Sequence, residues 1–220
     1  MEFFQLVRNM RAMRRLKPDP VPLSLVRKVI DAGVQAPSGM NTQPWAFVVI
    51  QDADGKKFLA EHYRRAIEDR FGGPVQVRGD SGTARQMRAV RYQIDHFHES
   101  PLILLVCGVR DWPFAVPAEK RVGHGPPNYG AVYPCVQNML LACRELGLGA
   151  TLTTMHQLFE EELHERFAIP DEYGVVVMMP IGFPKGRFGP VRRRPAEEST
   201  YFDRFGAEAA SSWVGISADA

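Results

Sequence analysis

Three arginines near the amino terminus are the first residues whose type and spacing indicate chemistry. Arg11, Arg14 and Arg15 stand within five positions of one another, just before a run that contains Pro18 and Pro20. A guanidinium group presents forked N–H donors that match the oxygens of a phosphate. The cluster therefore indicates an anion-binding site, although a solvated run of surface charges would give the same pattern.

A second basic segment lies near the other end of the chain. Residues 180–195 read PIGFPKGRFGPVRRRP, and the prolines around Arg192 and Arg193 favour an ordered loop over a free tail. Residues 1–30 carry seven basic and two acidic side chains, and residues 185–194 carry five basic and no acidic side chains. Together these two segments have a net charge of +10, whereas the whole chain has a net charge of only +2. Because the positive charge is confined to these two segments, general nucleic-acid binding is not indicated. The charge distribution instead favours one anion that both segments bind.

A neutral loop offers a different kind of recognition. Residues 36–45, APSGMNTQPW, combine small, amide and hydroxyl groups within a stretch that carries no charge. Backbone and amide groups in such a loop can surround a flat, hydrogen-bonding ring. A turn in which Ser38 and Asn41 only satisfy backbone groups explains the same residues equally well.

Most self-contained catalytic motifs are missing from the sequence. It contains no GxSxG elbow, no P-loop, no HExxH and no full GxGxxG. Cys107, Cys135 and Cys143 form no CxxC and lie in apolar surroundings, so neither a disulfide nor a metal site is predicted, and a reducing cytoplasm fits best. The acidic run at residues 160–165 predicts a solvated helix face.

Two uncharged stretches have the length of a membrane span. Residues 32–51, and residues 122–143 apart from His124, carry no titratable charge. Both contain Pro, Gly, Asn and Gln at a density that a spanning helix rarely tolerates. They are therefore predicted to be interior segments of a soluble, cytoplasmic protein without membrane contact.

Helical and strand patterns alternate along the chain. Helices are predicted at residues 3–15, 24–35, 56–70, 84–100, 129–146 and 157–168, and buried strands at 45–50, 102–109, 150–155 and 173–181. This alternation predicts an α/β or α+β class in which helices cover a sheet. A single domain over residues 1–220 is predicted, with residues 196–220 as a carboxyl-terminal tail.

Four segments together resemble the nitroreductase family of FMN-dependent oxidoreductases. They are RAMRRLKPDPVP at residues 11–22, APSGMNTQPW at 36–45, QNMLLACRELGLGATLTT at 137–154, and IGFP followed by RRRP at 181–195. They recur in the family's order along nearly the whole chain. The resemblance implies an α+β fold with a mainly antiparallel central sheet flanked by helices. It also implies an intertwined homodimer with two FMN sites at its interface.

The resemblance implies four groups of cofactor-binding residues. They are Arg11, Arg14 and Arg15; Pro37, Ser38, Gly39 and Asn41; Leu152, Thr153 and Thr154; and Arg192 and Arg193. The first and last groups match contacts to the FMN phosphate or the polar side of the ring. The second matches a loop that reaches the flavin bound mainly by the other subunit, and the third matches a strand end beside the ring. Ala12 departs from the Ser that family members commonly have, and residues 71–128 match least well.

The activity implied by the resemblance is a ping-pong reduction. NADH or NADPH reduces the bound FMN and leaves, and a small electron-poor acceptor such as a nitroaromatic or a quinone takes its place. Because the cofactor performs the chemistry, no catalytic side chain is required. The same fold could instead support dehalogenation, flavin fragmentation or reduction of an activated double bond. A flavin-binding storage or regulatory protein is the alternative without turnover.

Apolar surface supports the predicted homodimer independently of the resemblance. The helix at residues 129–146 is apolar over more than one stripe, and the tail carries Phe202, Phe205 and Trp213 without an obvious partner in its own domain. Large apolar surfaces usually lie at subunit interfaces. The tail is therefore predicted to pack on the partner subunit.

Overall fold

A four-stranded antiparallel sheet with helices on both faces forms the centre of the computed structural model, which describes residues 1–112 and 116–206. The strands are β1 (Trp45–Ile50), β2 (Leu102–Val109), β3 (Gly149–Ala150) and β4 (Tyr173–Gly182), in the order β1-β2-β4-β3. The helices are α1 (Phe3–Asn9), α2 (Leu23–Gly33), α3 (Ala53–Phe71), α4 (Gly82–Asp95), α5 (Tyr129–Glu145) and α6 (Glu160–Phe167). The chain divides into two units, Met1–Gly189 and a second that begins at Pro190.

Strand β2 supplies both hydrophobic cores because alternate side chains point to opposite faces of a sheet. Leu102, Leu104 and Val106 join the core formed with α2 and α5. Ile103, Leu105 and Cys107 join the core formed with α3, α4 and α6. This double burial explains the continuous apolar run in the sequence and confirms the prediction of a buried strand at residues 102–109.

Strand β4 carries a bulge opposite the middle of β2. Val106 pairs with Val177, whereas Cys107 pairs with Val175, so that Val176 is the extra residue. Val176 and Val177 consequently lie in the same core. A bulge bends its strand and increases the local twist.

The prediction of a mainly antiparallel sheet flanked by helices is confirmed, and β1 and β2 have the predicted bounds. The predicted helix at residues 3–15 is wrong in its second half, because α1 ends at Asn9 and Met10 is already extended. Long-range pairing replaces the helix there. The Met13 N–H donates to the Ala150 carbonyl at 2.9 Å, and the Lys17 N–H donates to that of Phe183 at 2.7 Å.

Three further elements are shorter than predicted. Helix α6 begins only at Glu160, after a separate 3₁₀ turn at Met155–Leu158, where a helix over residues 157–168 was expected. Helix α4 ends at Asp95, and a separate 3₁₀ turn, Phe97–Glu99, follows it where the helix was expected to continue. Strand β3 ends at Ala150, and the chain meets the sheet again only at Thr153, which forms an isolated bridge with Met178.

The second unit contains a short 3₁₀ turn, Ala196–Ser199, in its described part. Trp213 lies outside the described residues, and packing of the tail on a partner subunit remains a prediction, as does the single-domain organisation. In the part of the chain that the structure describes, no helix has the length and hydropathy of a membrane-spanning segment.

Candidate functional site

Residues 11–17 lie beside residues 183–187, and we call this pair of segments the basic ribbon. Leu16 bridges to Pro184, and the Lys185 N–H donates to the Arg15 carbonyl at 2.9 Å. The cations of the basic ribbon are Arg11, Arg14, Arg15, Lys17, Lys185 and Arg187. None of them forms an ion pair with a carboxylate of residues 1–112 or 116–206. Uncompensated cations of this kind can bind an external anion.

Arg14 is the partly buried member of the ribbon. Burial lowers the pKa of its guanidinium group, and the nearby Tyr63 opposes that shift. Tyr63 is buried on α3, where burial raises the pKa of its hydroxyl while Thr153 and the charge of Arg14 act in the opposite direction. Two of the four predicted groups, represented by Arg14 and Thr153, therefore meet around Tyr63. A half-buried cation without a carboxylate is costly, which favours an anionic or electron-rich ligand beside it.

The strand end after β3 is held by the sheet. The Thr153 N–H donates to the Met178 carbonyl at 2.9 Å, and the Met178 N–H donates back at 3.0 Å. The Thr153 hydroxyl oxygen accepts from the Met155 N–H at 3.3 Å. The backbone N–H of Thr154 has no acceptor among the described residues, so it remains available to a ligand.

The neutral loop is strained and bonded to itself. Met40, Asn41 and Gln43 have φ angles of 50°, 56° and 49° in the left-handed region, which costs non-glycine residues about 1 kcal/mol or more each. The Ser38 hydroxyl accepts from the Gln43 N–H at 3.0 Å, and the Asn41 N–H donates to the Ser38 carbonyl at 3.0 Å. Strain of this kind clusters at binding sites.

The side chain of Met40 extends from this loop into solvent, with 96% of the residue exposed. Pro37, Gly39 and Asn41 are exposed as well. No hydrogen bond joins the loop to the basic ribbon within the described residues. The assignment of the loop at residues 36–45 to the flavin of another subunit therefore remains a prediction.

Arg192 and Arg193 belong to the second unit. Both are exposed, and the Arg193 guanidinium donates to the Arg192 carbonyl at 3.0 Å. That they share an anion with Arg11 remains a prediction.

A polar cavity, which we call the Arg110 cavity, was missed by the sequence analysis. It has a volume of about 840 Å³ and is lined by Arg110, His124, Gln157, Leu158, Phe159, Glu160, Glu161, Glu162, His164 and Asp171. The Arg110 guanidinium donates to Glu160 at 2.6 Å and to the carbonyls of Tyr173 and Gly125 at 3.0 Å each. Glu160 also accepts from the Val175 N–H at 3.1 Å.

These contacts correct the prediction for the acidic run. The Glu160 side chain is only 23% exposed and turns toward Arg110. Glu161 and Glu165 are exposed as predicted. The sequence gives no signal for the pair, because its two members stand 50 positions apart.

The three cysteines do not supply reactive thiolates. All three are buried, and burial raises the pKa of each thiol to about 12. The described residues hold no group of three or more His, Cys, Asp or Glu side chains suited to a metal ion.

The antiparallel sheet, the basic ribbon and the strand end at Thr153 define a nitroreductase-type fold, and the chain belongs to the nitroreductase family, which it matches over residues 7–183. The resemblance seen in the sequence is thereby confirmed. The chain is 28% identical over 184 residues to iodotyrosine deiodinase 1 of Rattus norvegicus, covering 83% of this chain and 62% of that protein. It is 25% identical over 181 residues to an iodotyrosine deiodinase of Thermotoga neapolitana, covering 82% and 88%.

Solved structures show the same fold. Oxidized iodotyrosine deiodinase bound to FMN and 3-iodo-L-tyrosine has a TM-score of 0.69 at 24% identity, covering 88% of this chain and 96% of that one. A BluB-like flavoprotein from Clostridium difficile 630 has a TM-score of 0.68 at 22% identity, covering 93% and 100%. The chain spans only about three-fifths of the length of several curated relatives, 62% for the rat protein.

Proposed function

We propose that this protein is an FMN-dependent oxidoreductase that takes hydride from NADH or NADPH and reduces a small electron-poor acceptor. The observation that carries the proposal is the half-buried Arg14, which has no carboxylate partner and lies with Tyr63 beside Thr153. Family membership and the FMN named in a related structure support it.

The residues present fit FMN in charge and in hydrogen bonding. Arg11 would bind the phosphate, a role that the resemblance also implies for Arg192 and Arg193. The N–H of Thr154 would face the polar edge of the ring. Arg14 would stabilise negative charge on the flavin because a fixed, partly desolvated cation acts strongly on charge that develops beside it. When bound, FMN would supply the hydride and electron transfer that the side chains of this chain do not provide.

A homodimer would complete this site with the loop at residues 36–45. Apolar surface on the described part of the chain supports the dimer: Phe3 and Phe4 on α1 are 61% and 68% exposed, and Tyr129 and Tyr133 on α5 are partly exposed. Large exposed apolar groups of this kind are typical of subunit interfaces. Light scattering at micromolar concentration should give twice the chain mass, and a monomeric mass would contradict the proposed dimer.

Reductive dehalogenation of a halogenated phenol is the second candidate. The deiodinase relatives favour it, because their similarity covers more than four-fifths of this chain. In this reaction two electrons and a proton replace the carbon–halogen bond by a carbon–hydrogen bond, and the halogen leaves as halide. The acceptor therefore distinguishes the two candidates, while the fold and the cofactor are common to both.

Anaerobic mixing of the flavin-loaded protein with NADPH or NADH tests the proposal. We expect prompt bleaching of the oxidised flavin absorbance with at least one nucleotide; a flavin that stays oxidised with both would exclude the reductase. A panel of nitroaromatics, quinones and halophenols, with halide release measured, then identifies the acceptor. The double variant Arg11→Ala with Arg193→Ala should lose FMN on gel filtration, and full retention would refute the phosphate assignment.

A further inference from the structure

Two cations of the basic ribbon converge on one tyrosine of α4. The Arg15 guanidinium carbon lies 5.3 Å from the centroid of the Tyr92 ring. The Lys185 ammonium group donates to the Tyr92 hydroxyl at 2.6 Å and lies 5.3 Å from the same centroid. Lys185 therefore lies at the hydroxyl end of the ring and not over its face.

This cluster involves a different helix from the one that Arg14 meets. Arg14 is partly buried near Tyr63 of α3, whereas the exposed Arg15 lies beside Tyr92 of α4. A second cationic surface is thus placed one residue along the chain from the proposed flavin side.

The neighbouring groups compensate the positive charge of the cluster only in part, because the charge of Glu99 acts on Lys185 without forming an ion pair with it. His96 stacks on Tyr92 with a centroid distance of 4.1 Å, and its Nδ1 lies 2.9 Å from a Glu99 oxygen. The hydrogen bond from His96 lowers the pKa of Glu99, to which the charges of His98 and Lys185 contribute less. Glu99 is therefore engaged by His96, while Arg15 and Lys185 have no ion-pair partner among the described residues.

The donor set of the cluster suits a phosphate monoester. Tyr92 accepts from Lys185, and its own O–H has no acceptor in the described part of the chain. A guanidinium group, an ammonium group and a phenolic O–H can together donate to the three terminal oxygens of a phosphate. A phosphate monoester carries close to two negative charges at neutral pH, which matches the two cations.

We propose that Arg15, Lys185 and Tyr92 bind the 2′-phosphate of NADPH, so that the protein uses NADPH in preference to NADH. The proposal rests on the proposed function for the identity of its ligand, because NADPH is the reductant proposed there that carries a 2′-phosphate. NADH has a hydroxyl group at the same position and cannot make these charge-assisted contacts. An arginine beside the 2′-phosphate is a recurring means of selecting NADPH in other folds.

Binding of a nucleotide that cannot transfer hydride tests the site separately from the activity. Calorimetry compares adenosine 2′,5′-bisphosphate with AMP, which lacks the 2′-phosphate, on the flavin-loaded protein. We expect the bisphosphate to bind more tightly and Lys185→Ala to weaken it about tenfold while AMP is unaffected. Equal binding of the two nucleotides, or no effect of Lys185→Ala, would overturn the proposal.

Matched variants separate local contacts from bulk charge. Lys17→Ala removes an equal charge from the same ribbon and should change bisphosphate affinity less than about twofold. Lys185→Arg should retain most of the affinity, whereas Tyr92→Phe should lose part of it. If Lys17→Ala weakens binding as much as Lys185→Ala, the ribbon acts only as a diffuse charge and the site is wrong.

Rates of anaerobic flavin bleaching extend the test to turnover. Lys185→Ala should lower the second-order rate with NADPH about tenfold and leave the rate with NADH unchanged. Equal losses of rate with NADPH and NADH in Lys185→Ala would overturn the proposal. A wild-type protein that reacts equally fast with both nucleotides would also overturn it. If neither nucleotide bleaches the flavin although the bisphosphate binds through Lys185, the proposed function fails while the phosphate site stands.

Discussion

The basic ribbon and the Arg110 cavity both hold a partly buried arginine, but they treat its charge in opposite ways. Arg110 donates to one carboxylate and two carbonyls. Arg14 has no carboxylate partner among the described residues, and burial lowers its pKa. An arginine whose N–H donors are satisfied within the protein needs no ligand. An arginine without a carboxylate partner can instead bind an anionic ligand. The difference distinguishes a structural arginine from a ligand-binding one better than burial alone.

The largest effect should come from the paired arginine. Arg110→Ala leaves the Glu160 carboxylate without its partner while it remains only 23% exposed. Loss of one partner from a largely buried pair costs about 3 kcal/mol, measured as the free energy of unfolding in urea. The folded variant should still bind FMN. A loss below about 0.5 kcal/mol would show that the pair is not structural.

The unpaired arginine should show the reverse pattern. Arg14→Ala removes a cation that no carboxylate compensates, so the free energy of unfolding of the FMN-free protein should change by less than about 1 kcal/mol. The dissociation constant for FMN should rise about tenfold or more, because a charge-assisted contact is lost. Fluorescence titration measures this constant, and Arg14→Lys serves as the control that keeps the charge. Large destabilisation with unchanged FMN affinity would contradict the distinction between the two arginines.

A buried histidine near Glu160 should also make stability depend on pH. The Nε2–H of the buried His156 donates to the Val175 carbonyl at 2.7 Å. The backbone N–H of the same Val175 donates to Glu160. Burial lowers the pKa of His156. The unfolded chain then binds a proton at higher pH than the folded chain does. The free energy of unfolding should therefore fall as the pH drops below about 6.5, by at most about 1.4 kcal/mol per pH unit from this group.

Urea unfolding at several pH values measures this slope. His156→Gln should flatten it, even if the variant is less stable overall. His98→Gln changes an exposed histidine and is the matched control. A slope that survives in His156→Gln would assign the pH dependence to other groups.

The smallest effect is expected for an exposed pair. Arg65 and Glu162 lie 2.8 Å apart, but their side chains are 53% and 43% exposed. Arg65→Ala should therefore cost less than about 0.5 kcal/mol, because solvent screens the pair. Thermal unfolding beside Arg110→Ala checks this ranking. A cost similar to that of Arg110→Ala would mean that exposure does not separate the two pairs.

Sequence patterns predicted the parts of the fold that depend on local periodicity. Strands β1 and β2 were predicted with their observed bounds because apolar runs have an unambiguous length between turn residues. The prediction that β1 is buried was wrong, because β1 lies at the edge of the sheet and only its Ile50 is buried. The end of α1 was missed because residues 13–17 are held by carbonyls of Ala150 and Phe183, far away in the chain. Hydrogen bonds between distant residues do not affect the spacing of apolar residues, so this spacing cannot predict them.

The candidate site was predictable in its residue types but not in its orientation. The spacing of Arg14 and Arg15 indicated an anion site, yet only the structure shows that Arg14 lies near Tyr63 whereas Arg15 lies beside Tyr92. Tyr63 and Tyr92 were not predicted as site residues, since a tyrosine on a helix gives no signal of its neighbours. The Arg110–Glu160 pair was missed because its two members stand 50 positions apart in the sequence.

The pairing within the basic ribbon also has a consequence for biosynthesis. Arg15 and Lys185 stand 170 positions apart, and their backbones are joined by a hydrogen bond. Contacts between such distant residues form late because closing a long loop is entropically costly, and a nascent chain folds from its amino-terminal end. A ribosome must therefore have made and released the chain through Lys185 before Arg15 reaches its final place. Cofactor capture by the basic ribbon should thus follow the synthesis of this late segment.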